Sequence, residues 1–387
     1  MAKTSIIKSY KFRISKPSKA VQDKLETTVY LCQQLYNASL QERRDAYKIN
    51  RISINYQHQQ NQLPEIKVTN PEYKDIHSQV LQNVLKRVDL AFQAFFQRAK
   101  KGKAGFPRFK SISRYDSFTF TQSGFCLIGN KLTLSKIGKV KIKLSRDVIG
   151  KVKTCTLKRE IDKWFVIFTV ETLPEPLPKT GEIVGIDAGV ASFLTLSDGT
   201  EIENNRFYQR TQKKLRIAQR SVSRKKKGGV NRKKAVLKLR KLHQKIRNQR
   251  NDYQHKISTW LVQNYDLIAI EKLNLAGMVR SNLGKSLNDV AIGMFYNMLR
   301  YKAENADKKL AEVPAHFTSQ TCYECGHCEK NNRKTQSSFV CIKCSHSNNA
   351  DINAAKNILR LGKSELDKTY GNSQSVSKES PSITASV

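Results

Sequence analysis

The sequence predicts a multidomain α+β protein, in which a helical segment and a small antiparallel β-domain precede an α/β unit and a zinc ribbon. Three observations predict it: helical periodicity within residues 15–100, closely spaced alternating strands over 117–171, and two Cys-x2-Cys pairs after residue 320. At 387 residues, the chain is long enough for two or three domains with their own cores.

The chain carries a large excess of positive charge. Its 70 lysines and arginines against 32 acidic residues give a formal net charge of +38. Self-repulsion at this charge opposes compaction unless a polyanion neutralises it, so nucleic acid is the expected partner. No membrane is expected, because no apolar run approaches the length of a span and no signal peptide opens the chain. Thiol-type cysteine usage predicts a cytoplasmic location.

Two amphipathic helices are predicted in the N-terminal part. Apolar residues recur at steps of three and four from Val21 to Leu40, and again from Ile76 to Phe95. The polar residues 50–70 between them show no period and are predicted to form a loop.

A basic segment follows at residues 100–111 (KKGKAGFPRFKS). Basic side chains that alternate with aromatic ones suit a loop along a phosphate backbone, although an ordinary basic linker would have the same composition. The residues assigned to nucleic-acid contact here are Lys103, Phe106, Arg108 and Lys110.

Short strands separated by turn signals are predicted over residues 117–171. In residues 139–144 (KVKIKL), for example, Val140, Ile142 and Leu144 share one face and lysines the other. With an N-terminal strand at residues 6–14, they predict a small β-barrel. Pro-rich residues 172–182 (TLPEPLPKTGE) then mark a domain boundary.

Residues 206–256 contain twenty lysines and arginines but one acid, Asp252. An apolar stripe interrupted at residues 227–229 predicts a helical hairpin. A coiled coil would mix both charge signs at its flanking positions, so nucleic-acid contact is favoured over a purely structural role. The contact residues assigned here are Arg224, Lys225, Lys226, Lys227, Arg232, Lys233 and Lys234.

Five of the eight cysteines cluster late in the chain, and four of them have the spacing Cys-x2-Cys-x15-Cys-x2-Cys. These four are Cys322, Cys325, Cys341 and Cys344. The spacing predicts one structural zinc ion, because four thiolates leave no open coordination position. It stays open whether the neighbouring His327 or Cys328 takes the place of one of these four ligands. The isolated cysteines Cys32, Cys126 and Cys155 are predicted to be small buried thiols.

Three acidic residues stand at the ends of predicted elements. Asp187 and Glu271 each end an apolar strand, and Asp351 opens a helix. A carboxylate at the end of a buried strand costs desolvation unless it binds a cation, and carboxylates hold the paired Mg2+ ions, about 4 Å apart, that cleave phosphodiesters. Each acid alone could equally be an exposed turn residue or a helix cap.

The motif around Asp187 (IVGIDAG) has a competing interpretation. Actin-like ATPases also place glycines around an aspartate after a strand. They need a second Asp-centred, glycine-rich loop after a later strand, and the sequence contains none.

Taken together in order and spacing, these features resemble the TnpB (OrfB) proteins of bacterial and archaeal insertion sequences, the presumed ancestors of type V CRISPR nucleases. The matching motifs are Leu35-Tyr36-Asn37, Phe95-Phe96, Gly105-Phe106-Pro107-Arg108-Phe109, Gly185-Ile186-Asp187-Ala188-Gly189, Ile270-Glu271-Lys272-Leu273, Ser319-Gln320-Thr321-Cys322 and Ala350-Asp351-Ile352-Asn353-Ala354-Ala355. The chain keeps Asp289 but has Leu287 and Ile292 where family members often carry Arg and Trp.

The resemblance implies an RNase-H-like (RuvC) α/β nuclease domain with two insertions. The implied organisation is a β-barrel wedge-like domain at 1–14 with 101–172, a helical recognition domain at 15–100, and the nuclease domain at 173–363 with a basic hairpin at 206–260 and a zinc ribbon at 316–349. Separately, the composition of residues 364–387, rich in Ser, Thr and Lys and without period, predicts a disordered tail.

The resemblance also implies the activity: an RNA-guided DNA endonuclease of a transposable element. Asp187, Glu271 and Asp351 would be its catalytic carboxylates and hold two Mg2+ ions, and the four cysteines would hold zinc. Guide RNA is the implied cofactor and the double-stranded, then unwound, DNA target the partner, while base pairing selects the sequence. The implied location is a prokaryotic cytoplasm, in association with the nucleoid.

Two alternatives stay open. One is a catalytically weak RNA-guided DNA-binding protein or repressor that keeps the fold. The other is an autonomous strand-transfer transposase, which would use similar acids without RNA.

Overall fold

The computed structural model describes residues 5–103, 105–273, 289–335 and 337–375. The chain divides into two compact units, Met1–Leu173 and Pro174–Val387. The division falls within the Pro-rich residues 172–182.

The first unit contains the two helices that the sequence predicts and two more between them. They are α1 (Lys19–Asn50), α2 (Tyr56–Asn61), α3 (Leu63–Thr69) and α4 (Ser78–Ala99), with a 3-10 turn at Pro71–Asp75. Helix α1 begins where Ser18 Oγ accepts a hydrogen bond from Val21 N, 3.4 Å away. Apolar residues of α1 and α4 at the predicted spacing are buried.

The prediction of a loop at residues 50–70 is wrong, since α2 and α3 lie there. Gln59 in α2 is buried, and its side chain donates to Ser39 O (2.9 Å) and accepts from Arg43 Nε (2.7 Å). A polar side chain with satisfied hydrogen bonds fills a position that an apolar residue would otherwise occupy. The helical apolar period is therefore absent from this stretch.

An antiparallel sheet completes the first unit. Its strands are β1 (Ile6–Ile14), β2 (Ser117–Phe120), β3 (Phe125–Ile128), β4 (Lys131–Leu134), β5 (Gly138–Lys143), β6 (Lys151–Glu160) and β7 (Lys163–Thr172). All the predicted strands of this region are confirmed. They pair in the order β2-β6-β7-β1-β5-β4-β3, and the sheet shares one hydrophobic core with the helices. Strands β2 and β3 are at the two ends of this order, and no pairing between them is seen among the described residues. Closure of the sheet into a barrel therefore stays a prediction.

The isolated cysteines differ in their environments. Cys32 and Cys155 are buried, as predicted, but Cys126 is exposed, and that prediction is wrong. Cys126 lies in the edge strand β3, where Phe125 and Leu127 on the other face pack against the core.

The second unit is built on a mixed five-stranded sheet. Its strands are β8 (Ile183–Ala188), β9 (Ser192–Leu196), β10 (Glu201–Glu203), β11 (Leu267–Lys272) and β12 (Lys309–Pro314), in the order β10-β9-β8-β11-β12. Strand β11 is parallel to both β8 and β12. Its residues alternate between two cores, with Ile268 and Ile270 in one and Leu267 and Ala269 in the other. Both faces of the sheet are therefore covered.

The helices that the structure describes in the second unit are α5 (Phe207–Ser223), α6 (Val230–Asn264), α7 (Ile292–Ala306) and α8 (Ala350–Ser375), of which α5 packs on α6. The end of α6 and most of α7 contribute to the core on one face, and α8 to the core on the other. Helices α5 and α6 confirm the predicted hairpin, and its turn includes Gly228 with φ +84°.

The zinc-ribbon stretch contains two short antiparallel strands, β13 (Ser338–Val340) and β14 (Ser347–Asn349), and a 3-10 turn at Lys330–Asn332. It lies in sequence between β12 and α8.

Helix α8 extends further than predicted. It continues to Ser375, so the prediction of a disordered tail from residue 364 is wrong as far as residue 375. Leu361 and Leu366 pack on the core that contains Ile358, which continues the apolar face of the helix. The rest of the predicted tail, residues 376–387, lies outside the described residues.

In the described parts of the chain, no helix is both long enough and apolar enough to cross a membrane.

Helix α8 approaches strand β8 closely at Gly185. A Cβ at this position would lie 2.1 Å from Ala355 O and 2.7 Å from Leu359 N, both backbone atoms of α8. Only glycine allows this approach without a shift of the helix.

We therefore expect Gly185→Ala to destabilise the second unit by about 3 kcal/mol, the upper range for overpacking, because the added methyl group meets rigid backbone. The thermal unfolding midpoint, followed by circular dichroism, measures the effect. Gly229→Ala is the matched control: a Cβ there would meet Lys226 O at 3.3 Å, so a much smaller change is expected. Equal midpoints for the two variants would contradict the packing argument.

Candidate active site and zinc-binding cluster

The three predicted acids come together at one edge of the second unit's sheet. Strands β8 and β11 are parallel neighbours with Ile270 beside Ile186, so the next residues along, Glu271 and Asp187, lie side by side. Asp351 occupies the first turn of α8, the helix that packs on β8.

Burial and like charges set the protonation of Asp187. Desolvation, followed by the negative charges of Glu271 and Asp351, raises the pKa of Asp187 to about 7. Charges act this strongly only at short range, so the three carboxyl groups form one electrostatic cluster. We call Asp187, Glu271 and Asp351 the acid cluster.

Glu271 is the most buried member of the acid cluster. Its side chain accepts a hydrogen bond from the hydroxyl of Thr318, and both residues are buried. Burial raises the pKa of Glu271, and the Thr318 hydrogen bond partly offsets that rise. Thr318 lies just after β12, at the start of the ribbon.

Asp351 has a cationic partner from the ribbon. Arg333 Nη2 lies 3.0 Å from Asp351 Oδ1, and the charge of Arg333 also acts to lower the pKa of Asp187. Asn349 Oδ1 accepts from Asp351 N (2.8 Å) and caps the start of α8. One arginine thus offsets part of the negative charge of the acid cluster.

The acid cluster has the chemistry of a Mg2+ site. Its ligands would all be carboxylate oxygens, which hard divalent cations prefer. Burial is the largest cause of the raised pKa of Asp187, and the negative charges of Glu271 and Asp351 add to it. The donor types therefore suit a divalent cation, but the oxygens of the three acids do not all lie within 4.8 Å of one another as the cysteine sulfurs do.

The four predicted cysteines converge on one point. Among the described residues, they are the one group of three or more possible metal ligands whose donor atoms all lie within 4.8 Å of one another. The Sγ atoms are 3.7 Å apart in the pair Cys322–Cys344 and 3.6 Å apart in the pair Cys325–Cys341. A tetrahedral zinc ion with Zn–S bonds of about 2.3 Å needs Sγ atoms roughly 3.8 Å apart. The geometry therefore fits zinc.

The two alternative ligands lie outside this group. Cys328 is exposed, and His327 Nε2 lies 3.4 Å from Glu329 Oε2. We call the turn that carries Cys322 and Cys325 the first zinc knuckle. The backbone of His327 stabilises this turn, because its carbonyl oxygen accepts a hydrogen bond from Cys322 N (2.8 Å).

The predicted nucleic-acid contacts of the first unit fall into two groups. Lys103, Phe106 and Arg108 are exposed. Lys110 is only partly exposed, and its ammonium group lies over the ring of Tyr36, 4.6 Å from the centroid. Desolvation lowers the pKa of Lys110. Lys110 thus has a local packing contact, and so does Phe106, whose ring centroid lies 5.5 Å from that of Phe92 and 5.3 Å from that of Phe95. Both stay weaker candidates for nucleic-acid contact than Lys103 and Arg108.

The predicted contacts of the hairpin surround its turn. Five of them are exposed: Arg224, Lys226, Lys227, Lys233 and Lys234. Lys225 and Arg232 are partly exposed. The turn therefore presents a concentrated positive surface to solvent.

Asp289 holds the base of the hairpin. Its carboxylate accepts from Tyr208 N (3.0 Å), in the first turn of α5, and from Arg250 Nη2 (2.8 Å) in α6. The predicted family departure at Leu287 lies outside the described residues. Ile292, the other departure, is the first residue of α7 and is buried in the core, so that position has an apolar role.

Sequence reasoning missed several residues around the acid cluster. Thr318 and Arg333 contact its members, and Asn353 and Asn357 of α8 are buried. A signal existed for the two asparagines. They lie four residues apart on one face of a helix, where asparagine has low propensity.

Two family models match the chain. Residues 160–282 match OrfB_IS605, described as "Probable transposase", and residues 293–358 match "Cas12f1-like, TNB domain".

Two curated proteins align with nearly the whole chain. The chain is 33% identical over 381 residues to "Putative RNA-guided DNA endonuclease InsQ" of Escherichia coli (strain K12), covering 93% of each protein. It is 32% identical over 364 residues to "Putative RNA-guided DNA endonuclease" of Streptomyces pristinaespiralis, covering 92% of this chain and 89% of the relative.

Among solved structures, the cryo-EM structure of CasPhi-2 (Cas12j) bound to crRNA aligns with a TM-score of 0.50 at 12% identity. The alignment covers 92% of this chain and 98% of that chain. At this identity the likeness indicates a shared fold.

Replacement of a zinc ligand tests the cysteine cluster. We expect Cys341→Ser to lose most of its bound zinc and to destabilise the ribbon, because three thiolates hold zinc far less tightly than four. Zinc per chain, measured by inductively coupled plasma mass spectrometry, reports the loss. Cys328→Ser, in the same ribbon but outside the cluster, should keep one zinc ion. A Cys341→Ser protein with unchanged zinc content would disprove the assignment.

The raised pKa of Asp187 predicts a pH-dependent stability in magnesium-free buffer. The unfolded carboxyl releases its proton near the ordinary aspartate pKa of 3.8 and the folded one near 7, so the folded state binds more protons between these values. Stability should therefore fall as pH rises from about 4 to 7. Asp187→Asn removes this penalty and should be more stable than wild type at pH 8, by a few kcal/mol in order of magnitude.

Urea unfolding of both proteins at pH 4 and pH 8 measures the difference. The advantage of Asp187→Asn should be small at pH 4 and full at pH 8. Added Mg2+ should stabilise the wild type more than the variant. An advantage that does not change with pH would rule out the electrostatic explanation.

Proposed function

This chain belongs to the TnpB (OrfB) family of insertion-sequence proteins, and we propose that it is an RNA-guided DNA endonuclease of a transposable element. The observation that carries the proposal is the acid cluster, which joins two adjacent strand ends to the first turn of α8. Relatives named as RNA-guided DNA endonucleases, aligned over most of both chains, support the same activity.

The second unit is proposed to be the nuclease domain. We assign residues 173–363 to the RNase-H-like (RuvC) class, because a mixed sheet with helices on both faces carries acids at its strand ends. The fold shared with CasPhi-2 is consistent with this class. In the first unit, residues 15–100 would serve as the recognition helices and residues 1–14 with 101–172 as the wedge.

The acids have a defined task in phosphodiester hydrolysis. Asp187, Glu271 and Asp351 would hold two Mg2+ ions, which when bound lower the pKa of the attacking water and stabilise the leaving oxygen. Asp187 lies in the field of both other carboxylates, so bound cations would relieve its repulsion with Glu271 and Asp351. Arg333 offsets the charge of Asp351, and Asn349 fixes the backbone of the turn that carries this acid.

The ribbon is proposed to have a structural zinc ion. A closed set of four thiolates has no position for water or substrate, so the zinc cannot take part in hydrolysis. Its position in the chain, between β12 and α8, lets it fix the segment that leads to Asp351.

The basic surfaces are proposed to bind guide RNA and the heteroduplex of guide and target. Exposed lysines and arginines at the hairpin turn can neutralise phosphates without reading bases. Sequence selection then belongs to base pairing between guide and target strand.

The decisive experiment begins with the RNA that co-purifies with the protein from its host. After that RNA is sequenced, a plasmid that matches its guide segment is incubated with the complex and Mg2+. We expect the wild type to cut the plasmid. Asp187→Ala should retain the RNA and show no measurable cutting, because the central carboxylate of the cluster is gone. Asp367→Ala, an exposed acid later in α8, is the matched control and should cut normally.

Each other outcome selects an alternative. Cutting by Asp187→Ala at the wild-type rate would disprove the acid assignment. A wild-type complex that binds matched DNA in Mg2+ without cutting it would be an RNA-guided DNA-binding protein. A protein without defined RNA that joins DNA ends would be a strand-transfer transposase.

A further inference from the structure

A buried hydrogen bond links the ribbon segment to the acid cluster. The Thr318 hydroxyl donates to Glu271 Oε1, although the two residues are 47 positions apart in sequence. Thr318 is 4% exposed and Glu271 9% exposed, so solvent hardly competes for this bond. In such surroundings a hydrogen bond to a charged group is stronger than at the surface.

Helix α8 holds the backbone of Thr318 in place. Asn357 Nδ2 donates to Thr318 O (3.0 Å) and to Thr321 O (2.7 Å). Asn357 is 1% exposed. Because unpaired buried carbonyl groups are costly, these bonds fix the backbone that presents the Thr318 hydroxyl.

A second asparagine ties the same segment to the first zinc knuckle. Asn353 Nδ2 donates to Thr321 O (2.8 Å), and its Oδ1 accepts from Tyr323 N (3.0 Å). Tyr323 stands between the ligands Cys322 and Cys325. The backbone around the knuckle is therefore fastened to the helix that carries Asp351.

We propose that Thr318 is a positioning residue for Glu271, and that Asn353 and Asn357 fix Thr318 relative to the zinc knuckle and Asp351. The proposal rests on the proposed function, in which Glu271 is a catalytic carboxylate. Through these contacts the ribbon sets the orientation of one acid and is fastened to the helix that carries another.

The chemistry of a carboxylate explains why one hydrogen bond matters. Two carboxylate oxygens offer about four acceptor sites, so the bond to Oε1 leaves capacity for a cation. Glu271 has three rotatable side-chain torsions, and the fixed donor selects one orientation from them. Partners of this kind behind a metal ligand typically change metal affinity or activity by about 10- to 100-fold.

The test uses Thr318→Val, which removes the hydroxyl and keeps the branched shape, and Thr318→Ser, which keeps the hydroxyl. For the guide-matched DNA we expect Thr318→Val to cut about 10- to 100-fold more slowly in single turnover and to need more Mg2+. Thr318→Ser should restore most of the rate. RNA retention and zinc content should equal those of wild type in both variants.

A readout independent of cutting follows the cation directly. In wild type, Mg2+ added without DNA should raise the thermal unfolding midpoint, since it binds the folded acid cluster. In Thr318→Val this rise should be smaller at the same Mg2+ concentration, and in Thr318→Ser it should return.

Two controls separate positioning from general damage. Thr321→Val removes a hydroxyl from the same segment, one that donates only to Phe317 O (2.9 Å). It should keep the wild-type rate. Equal losses in Thr321→Val and Thr318→Val, or loss of zinc in Thr318→Val with no rescue by Thr318→Ser, would overturn the proposal and leave a structural role.

Glu271→Gln separates this proposal from the proposed function. If Glu271→Gln cuts normally, the catalytic role of Glu271 fails and the positioning role fails with it. If Glu271→Gln is inactive while Thr318→Val cuts and responds to Mg2+ like wild type, the catalytic role stands and the positioning role alone is wrong.

Discussion

The close approach of α8 to β8 at Gly185 is the constraint on which the second unit depends. Backbone atoms of α8 lie where any larger side chain would need room. This contact fixes which residues of the helix lie over Gly185 and how close they lie to it. It therefore also fixes the position of Asp351 relative to Asp187. Asn353 and Asn357 then extend from the same helix to the ribbon. One glycine therefore underlies both the assembly of the acids and the attachment of the zinc knuckle.

The second unit brings together two groups of ionisable side chains, the acid cluster and the four cysteines. Burying the carboxylates of the acid cluster side by side costs free energy, which appears as the raised pKa of Asp187. Four thiolates held together without an ion are also unfavourable, but the free energy of zinc binding would offset that cost. The acid cluster thus destabilises the cation-free protein, and a zinc ion in the ribbon next to it would add rigidity.

Much of this architecture could be predicted from the sequence, because apolar period, cysteine spacing and strand-end acids are local signals. The strands of the first sheet, strands β8 and β11 of the second, the hairpin and the convergence of the cysteines follow from them, whereas β12 is not predicted as a strand. Two of the failures concern which face of an element is buried. Cys126 is exposed because Phe125 and Leu127 occupy the core-facing side of β3, and α8 continues past residue 364 because Leu366 extends its apolar face. The other failures depend on partners that are distant in sequence: Gln59 is buried because Arg43 and Ser39 satisfy it, and Thr318 matters because Glu271 is beside it. No local pattern encodes such partners.

Helix α6 connects the exposed turn of the hairpin with the hydrophobic core over the sheet. Its 35 residues extend roughly 50 Å at 1.5 Å per residue. Ile257, Leu261 and Val262 near its end belong to the core over the sheet, whereas the residues near its start are largely exposed. Whole turns can therefore be added or removed at the hairpin tip without disturbing the sheet. The hairpin is therefore an arm whose length can vary while the sheet and its two cores stay constant.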